Sequence, residues 1–211
     1  MGRFHKNEIT KETFQDRIYE RFFEVEENDV VIDVGASVGP FTYSVLDKKP
    51  NVVLSLEPSE KEFRTLVKNT KGYPVIPIMK GISRFDGKTT NDFIYSSDKN
   101  MEGISFLKLT ELYDLKKIDF LKTDCEGGEY DIFTEQNFDF IQKNVKKISG
   151  EWHLSNSDLK LKFKNFRDTF LSKFENFKVF SVDGVDIKWD LWNDHFIDFY
   201  TEVIIYIDNR K

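Results

Sequence analysis

The sequence predicts an α/β fold in three layers, a mostly parallel sheet covered by helices on both faces. Three observations predict it. Short β-branched runs alternate with amphipathic helical patterns through the first five strands, and right-handed crossovers between parallel strands bury both sheet faces in this way. The first strand collapses into a glycine-rich bend, "VVIDVGASVGPF" at residues 30–41. The last two apolar runs lie either side of "DGVD" and suit an antiparallel pair.

Each element follows from its pattern. "ITKETFQDRIYERFF" spaces Ile9, Phe14, Ile18 and Phe22 as a leading amphipathic helix. "VVIDV" is a buried strand, and a helix is expected from Gly39 to Lys48 with Phe41, Val45 and Leu46 inward. "VVLSLEP" is the second strand, stopped by Pro58. Ser59 then caps a helix, with Glu62 three residues on as a capping box and Phe63, Leu66 and Val67 on one face. The prolines of "YPVIPIMKGIS" place the third strand at an edge. Residues 84–110 are polar, with turn signals at Asp86-Gly87 and Glu102-Gly103, and predict loops with a hairpin. "KIDFLKTD" is the fourth strand, followed by a helix from Glu129, and "VKKISGEWHL" is the fifth. Leu159, Phe163, Phe166, Phe170 and Phe174 form one helical stripe, and "KVFSV" and "HFIDFYTEVIIYI" close the chain.

The chain has 211 residues, with 21 phenylalanines against five prolines, so it packs as one domain with a sizeable core. A net charge of −6 gives the whole molecule no pull toward nucleic acid or an anionic membrane. The single cysteine, Cys125, excludes an internal disulfide. "MGRFHKNEITKETFQ" lacks the apolar stretch of a signal peptide and matches a myristoylation signal poorly, because Lys6 stands where Ser or Thr is wanted. No apolar run is long enough to span a membrane. The expectation is a cytoplasmic protein.

Parallel sheets bind ligands beyond the carboxyl ends of their strands. Asp33 and Gly35, Glu57, Asp124, and Glu151 and His153 all fall at such ends. The bend reads G-x-x-x-G, from Gly35 through Ala36 and Ser37 to Gly39. A dinucleotide fingerprint needs closer glycines, and a phosphate loop needs Lys-Ser/Thr after the second one. The acidic rim would also repel a pyrophosphate and welcome a cation. S-adenosylmethionine fits, being positive at sulfur and amine, and Glu57 is spaced to accept both ribose hydroxyls. The plainer alternative is a bend that only turns a strand into a helix, with Asp33 as a cap.

"DFLKTDCEGGEYDIF" holds a second constellation: Asp124 ends a strand, Glu126 follows, and Gly127-Gly128 turn into Glu129. It lacks the Asn/Asp-Pro-Pro-aromatic run with which nucleobase methyltransferases grip an amino group. With "VVIDVGASVGPF", "LSLEPSEKEFRTLVKN", "KIDFLKTDCEGGEYDIF" and "ISGEWH" in this order, residues 16–155 resemble the FkbM-type S-adenosylmethionine-dependent methyltransferases. Ser37, Pro40 and Cys125 depart from that family's pattern.

The resemblance implies the class I, Rossmann-like methyltransferase fold, a seven-stranded sheet ending in the antiparallel pair. Residues 1–28 would be the leading helix, 29–155 the cofactor-binding core, and 156–211 the C-terminal helix and strands. The implied activity is O-methylation of a hydroxyl on a sugar or small molecule. The cofactor set is Asp33, Gly35, Ala36, Ser37, Gly39, Glu57, Pro58, Gly81, Ile82, Asp124 and Glu126. Glu151 and His153 would flank the acceptor. An alkyl hydroxyl needs a base or a metal as it attacks the methyl carbon. His153 is the candidate base, since free imidazole titrates at about pH 6.5, with Asp124 or Glu151 orienting it. A divalent metal on Asp124, Glu126, Glu151 and His153 is the alternative.

Several features carry two readings. Lys160, Lys162, Lys164 and Arg167 suit either a nucleic-acid or phosphate partner or a solvated helix face. Trp189 and Trp192 either cover the acceptor or pack. Cys125 fills a turn, since methyl transfer from a sulfonium needs no thiol. His5 and His195 have no visible partners. A nucleic-acid or protein methyltransferase, or a non-catalytic cofactor-binding descendant, stands as the rival function.

Overall fold

The computed structural model describes residues 17–88 and 101–210. Its elements run β1 (Val30–Val34), α1 (Pro40–Ser44), β2 (Val52–Leu56), α2 (Glu60–Asn69), β3 (Val75–Ile78), β4 (Gly81–Ile82), β5 (Gly87–Lys88) and β6 (Glu102–Ile104). There follow α3 (Phe106–Leu112), β7 (Ile118–Thr123), α4 (Glu129–Ile132), α5 (Glu135–Asn144), β8 (Val145–His153) and α6 (Ser157–Thr169). Finally come β9 (Phe177–Ser181), α7 (Asp194–Ile197) and β10 (Glu202–Asp208).

The main sheet has seven strands in the order β3-β2-β1-β7-β8-β10-β9. All neighbours are parallel except β10, which runs antiparallel between β8 and β9. The order reverses between β1 and β7, and sheets of this kind bind ligands beyond the carboxyl ends at such a reversal. Alternation along the strands feeds two cores. Ile32, Leu54, Leu121, Ile148 and Trp152 pack with the phenylalanine stripe of α6 on one face. Val31, Val53, Phe120 and Ile204 pack with Tyr19, Phe23 and Phe41 on the other. The stripe is buried as the spacing predicts, and Phe166 stacks on Trp152 with ring centroids 5.4 Å apart.

Several elements differ from expectation for local reasons. The leading helix lies largely outside the described residues; its described end is a 3-10 turn, Ile18–Glu20. The helix after the bend stops at Ser44, and the chain passes through a 3-10 turn into Lys49 at φ 56, ahead of Pro50, which disfavours a helical residue before it. Ser59 sits at the N-cap of α2, but the capping box does not form. The Ser59 N–H, which Glu62 would have taken, donates instead to Glu57 at 2.7 Å. Only Leu66 of that helix is fully buried, with Phe63 half-buried and Val67 exposed.

β3 takes the expected edge. The segment after it forms a separate sheet, β4-β6-β5, in which Glu102-Gly103 is strand and no turn. The helix from Glu129 is two: Phe133 leaves helical backbone and Thr134 caps α5 through the Asn137 N–H. "DGVD" does not join the last two strands directly. The chain doubles back along β9 through the Phe180–Asp186 bridge and passes through α7 before β10. Among the described residues, no helix is long and apolar enough to cross a membrane.

Candidate active site

The glycine bend is built by close approach. Gly35 has φ +74, and a Cβ there would lie 1.8 Å from the Asp124 carbonyl oxygen, so no other residue lets β1 turn beside the end of β7. Gly35 and Ala36 donate their N–H groups to the Leu56 carbonyl at 3.1 and 2.8 Å. Ser37 is left-handed at φ 49, and Gly39 at φ +93 fits beneath Leu66. The bend and the Asp124 turn are therefore in contact.

Glu57 lies under this bend, buried, with Oε2 accepting the Ser37 N–H at 2.8 Å and Oε1 the Ser59 N–H. Burial pushes its carboxyl up to about 7 against the pull of those two bonds. Each oxygen keeps a lone pair for a further donor. Pro58 leads from it into α2. Gly81 and Ile82 form β4, and the Ile82 carbonyl faces Gly128, so they border the second constellation.

Asp33 stands behind the bend, fully buried. Its Oδ2 accepts from Thr42 Oγ1 at 2.6 Å, and its Oδ1 lies 3.1 Å from Lys122 Nζ. It anchors the bend from within and offers no charge to the rim. Thr42 also shares a hydrogen bond with Ser55, 2.7 Å away.

Asp124, Glu151 and His153 converge: one ligand atom from each lies within 4.8 Å of the others. Glu126 is outside this trio and half-exposed, with Oε2 3.3 Å from His153 Nε2. The orienting partner of His153 is neither Asp124 nor Glu151. It is Glu129, fully buried at the start of α4, whose Oε1 lies 3.0 Å from Nδ1. Glu129 also accepts from the backbone N–H groups of Cys125 and Gly127, at 2.9 Å each, so its position is fixed. Burial pulls the His153 pKa down. The Glu129 bond and charge, then Asp124 and Glu126, outweigh it and raise the imidazole to about 10. The ordinary imidazole value does not hold here; the resting side chain is a cation. Burial and then the Asp124 charge push Glu151 up to about 8.

Two further residues belong to the site. Tyr19 donates its phenol to Asp124 Oδ2 at 2.7 Å, and Lys122 sits under the bend. Lys122 carries a sequence signal, a lysine at an inward position of the apolar run "IDFLKTD". Tyr19 carries none, because its reach across 105 residues is purely tertiary.

The ambiguous features resolve by position. Lys160 donates to the Asp198 carbonyl and Lys162 lies 3.3 Å from Asp158. Lys164 is 3.9 Å from Asp194 and Asp198, and Arg167 pairs with Asp168 and Asp194 at 2.7 and 2.9 Å. Three of the four cations, Lys162, Lys164 and Arg167, thus lie beside aspartates. Trp189 follows Lys188, whose ammonium covers the Phe177 ring at the far end of β9. Trp192 lies under Arg167. Both tryptophans sit away from the carboxyl ends. The Cys125 thiol is raised well above its ordinary value by burial and then Glu129, as suits an inert turn residue. His195 lies in α7, exposed, and His5 lies outside the described residues. A cavity of about 320 Å³ between Phe22, Phe177, Lys178 and Tyr206 opens at the opposite end of the sheet, lined by none of the site residues.

Comparison with known proteins identifies the family and the fold. The model of the methyltransferase FkbM domain matches residues 33–179. The hexuronic acid methyltransferase AglP of Haloferax volcanii is 27% identical over 174 residues, 70% of this chain and 72% of that protein. Among solved structures, the FkbM methyltransferase of Methylobacillus flagellatus superposes with a TM-score of 0.52 at 18% identity, over 92% of this chain and 47% of its own. Fibrillarin of Aeropyrum pernix, solved with bound S-adenosyl-L-methionine, gives a TM-score of 0.51 at 12% identity, over 90% of this chain and 72% of its own. Both share the seven-stranded class I methyltransferase fold. With its family match spanning most of the chain, this protein belongs to the FkbM family of methyltransferases.

Proposed function

We propose that this protein methylates a hydroxyl oxygen on a saccharide or related small molecule, using S-adenosylmethionine. The observation that carries the reading is the contact between the glycine bend and the Asp124 turn. Glu57, a carboxyl suited to accept a diol, hydrogen-bonds this bend, and Asp124 of that turn belongs to the Asp124/Glu151/His153 trio. The residues suit the cofactor's chemistry: a buried carboxyl, Glu57, hydrogen-bonded to the bend, and the Asp124 and Glu126 carboxylates for a cation. Gly35 to Gly39, Glu57 and Pro58 would hold the nucleoside end, with Gly81 and Ile82 beside them. Asp124 and Glu126 would face the positive end. When bound, the cofactor supplies a methyl group on a cationic sulfur, a good leaving group.

The chain's own residues then position the acceptor and move its proton. His153 is the base, held by Glu129. Its resting proton must leave first, and a cation entering beside Asp124 and Glu126 competes with the imidazolium for their charge and lowers its pKa. The name of the 27%-identical relative makes a hexuronic acid or its glycoside the first acceptor class to try. The aspartates beside the α6 cations speak against a nucleic-acid acceptor.

The test incubates the protein with labelled S-adenosylmethionine and a panel of sugars, uronic acids, polyols, RNA and protein. A methylated saccharide supports the reading. Methylated RNA or protein replaces it, and cofactor binding with no product in any arm marks a non-catalytic descendant. His153→Ala should lose at least about a hundredfold in turnover while keeping its affinity for S-adenosylhomocysteine; unchanged turnover removes His153 as base.

A second reading places a divalent cation between Asp124, Glu151 and His153, favoured by their convergence within 4.8 Å. Activity lost to a chelator and restored by magnesium or manganese would select it.

A further inference from the structure

Lys122 is a buried charge beside the site that the chemistry above does not use. It is 3% exposed, on the central strand β7, with its ammonium 5.3 Å from the centroid of the Tyr19 ring. The Lys122 ammonium donates to the Gly35 carbonyl at 2.8 Å and the Val34 carbonyl at 3.2 Å, and forms an ion pair, without a hydrogen bond, with Asp33 Oδ1 at 3.1 Å. Asp124 Oδ2 lies further off at 3.9 Å and takes the Tyr19 phenol instead. Two of the three contacts are main-chain oxygens of the bend itself. The third, Asp33, is tied through Thr42 to α1 and Ser55 of β2. One cation thus joins β7, β1 and, through Asp33, the helix that follows the bend.

A buried ion pair is a poor source of stability, since well-packed apolar residues of similar volume commonly do as well or better. Its gain lies in fixing geometry. We propose that Lys122 is a positioning residue for the cofactor, an internal clamp that holds the carbonyls of Val34 and Gly35 and so presents the 35–39 bend in its binding conformation. This rests on the cofactor reading above.

The proposal differs in sign from simple electrostatics. Removing a positive charge near Asp33 and Asp124 should tighten the binding of a cationic ligand. Loss of a clamp should weaken the cationic donor and its neutral product alike.

The experiment compares wild type, Lys122→Met and the double variant Asp33→Asn/Lys122→Met, which removes the charge pair and leaves no orphaned carboxylate to unfold the protein. Calorimetry measures S-adenosylmethionine and S-adenosylhomocysteine. Hydrogen exchange of the Gly35 and Ala36 amides is followed without ligand. The expected result is at least a tenfold loss of affinity for both ligands in the double variant. Exchange at those two amides should accelerate at least tenfold while β8 and β10 stay protected. The proposal is overturned if the double variant keeps both affinities within twofold, if only the cationic ligand responds, or if bend exchange does not change. A wild type that binds neither ligand defeats the cofactor reading first, and the exchange arm still reports whether the clamp exists.

Discussion

Glu57 and His153 show how burial sets chemistry side chain by side chain. Desolvation pushes the Glu57 carboxyl up to about 7, and each oxygen accepts one backbone N–H with a lone pair left over. Glu57→Ala removes the carboxylate that accepts the Ser37 N–H of the bend and should weaken S-adenosylhomocysteine binding at least tenfold, about 1.4 kcal/mol or more; unchanged affinity would mean the ribose lies elsewhere. His153 owes its high pKa to Glu129 before Asp124 or Glu126. Glu129→Gln keeps the shape and removes the charge, so the imidazole pKa read by NMR should drop by about one unit or more. No drop would assign the shift to the exposed acids instead.

At the scale of elements, the site depends on two strands meeting at their ends. The bend after β1 passes so close to Asp124 that Gly35→Ala must force the two strands apart, besides straining a left-handed position. The expected cost is on the order of 2–4 kcal/mol, with cofactor affinity lost as well. Urea unfolding measures the first and calorimetry the second; a variant as stable as wild type would contradict the close approach. The same adjacency explains why Asp33, a strand-end acid in the sequence, serves the interior. By alternation it faces the Thr42 and Lys122 side chains, on the face that carries Tyr19 and Phe120.

Across the whole molecule, the raised pKa values set a direction for stability against pH. Glu57 rises from 4.5 to about 7, Glu151 from 4.5 to about 8, and His153 from 6.5 to about 10. In each case the folded state keeps a proton that the unfolded chain has released. These contributions are complete below the ordinary values and are lost as pH climbs through the folded ones. Asp119 works oppositely: held low by Lys146, Lys117 and the Val30 N–H in spite of burial, its contribution is lost in acid. The ligand-free protein should therefore melt highest at about pH 4–5 and lose on the order of several kcal/mol by about pH 9. A melting temperature flat or rising over that range, followed by circular dichroism, would contradict the site's burial.

The sequence by itself determined what is periodic or local: the alternation of strands and helices, the bend at Gly35, the strand-end acids, and the phenylalanine stripe of α6. These were legible because side-chain period and turn chemistry act over a few residues. The tertiary structure alone decided who meets whom. It gave His153 its partner in Glu129 and its resting proton, drew Lys122 beneath the bend and brought Tyr19 to Asp124. It also set Lys164 and Arg167 beside Asp194, Trp192 under Arg167, and Lys188 over Phe177 of β9. Each of these depends on strand order and register between segments distant in the chain, where burial and neighbouring charge, rather than residue type, fix the energy of a side chain.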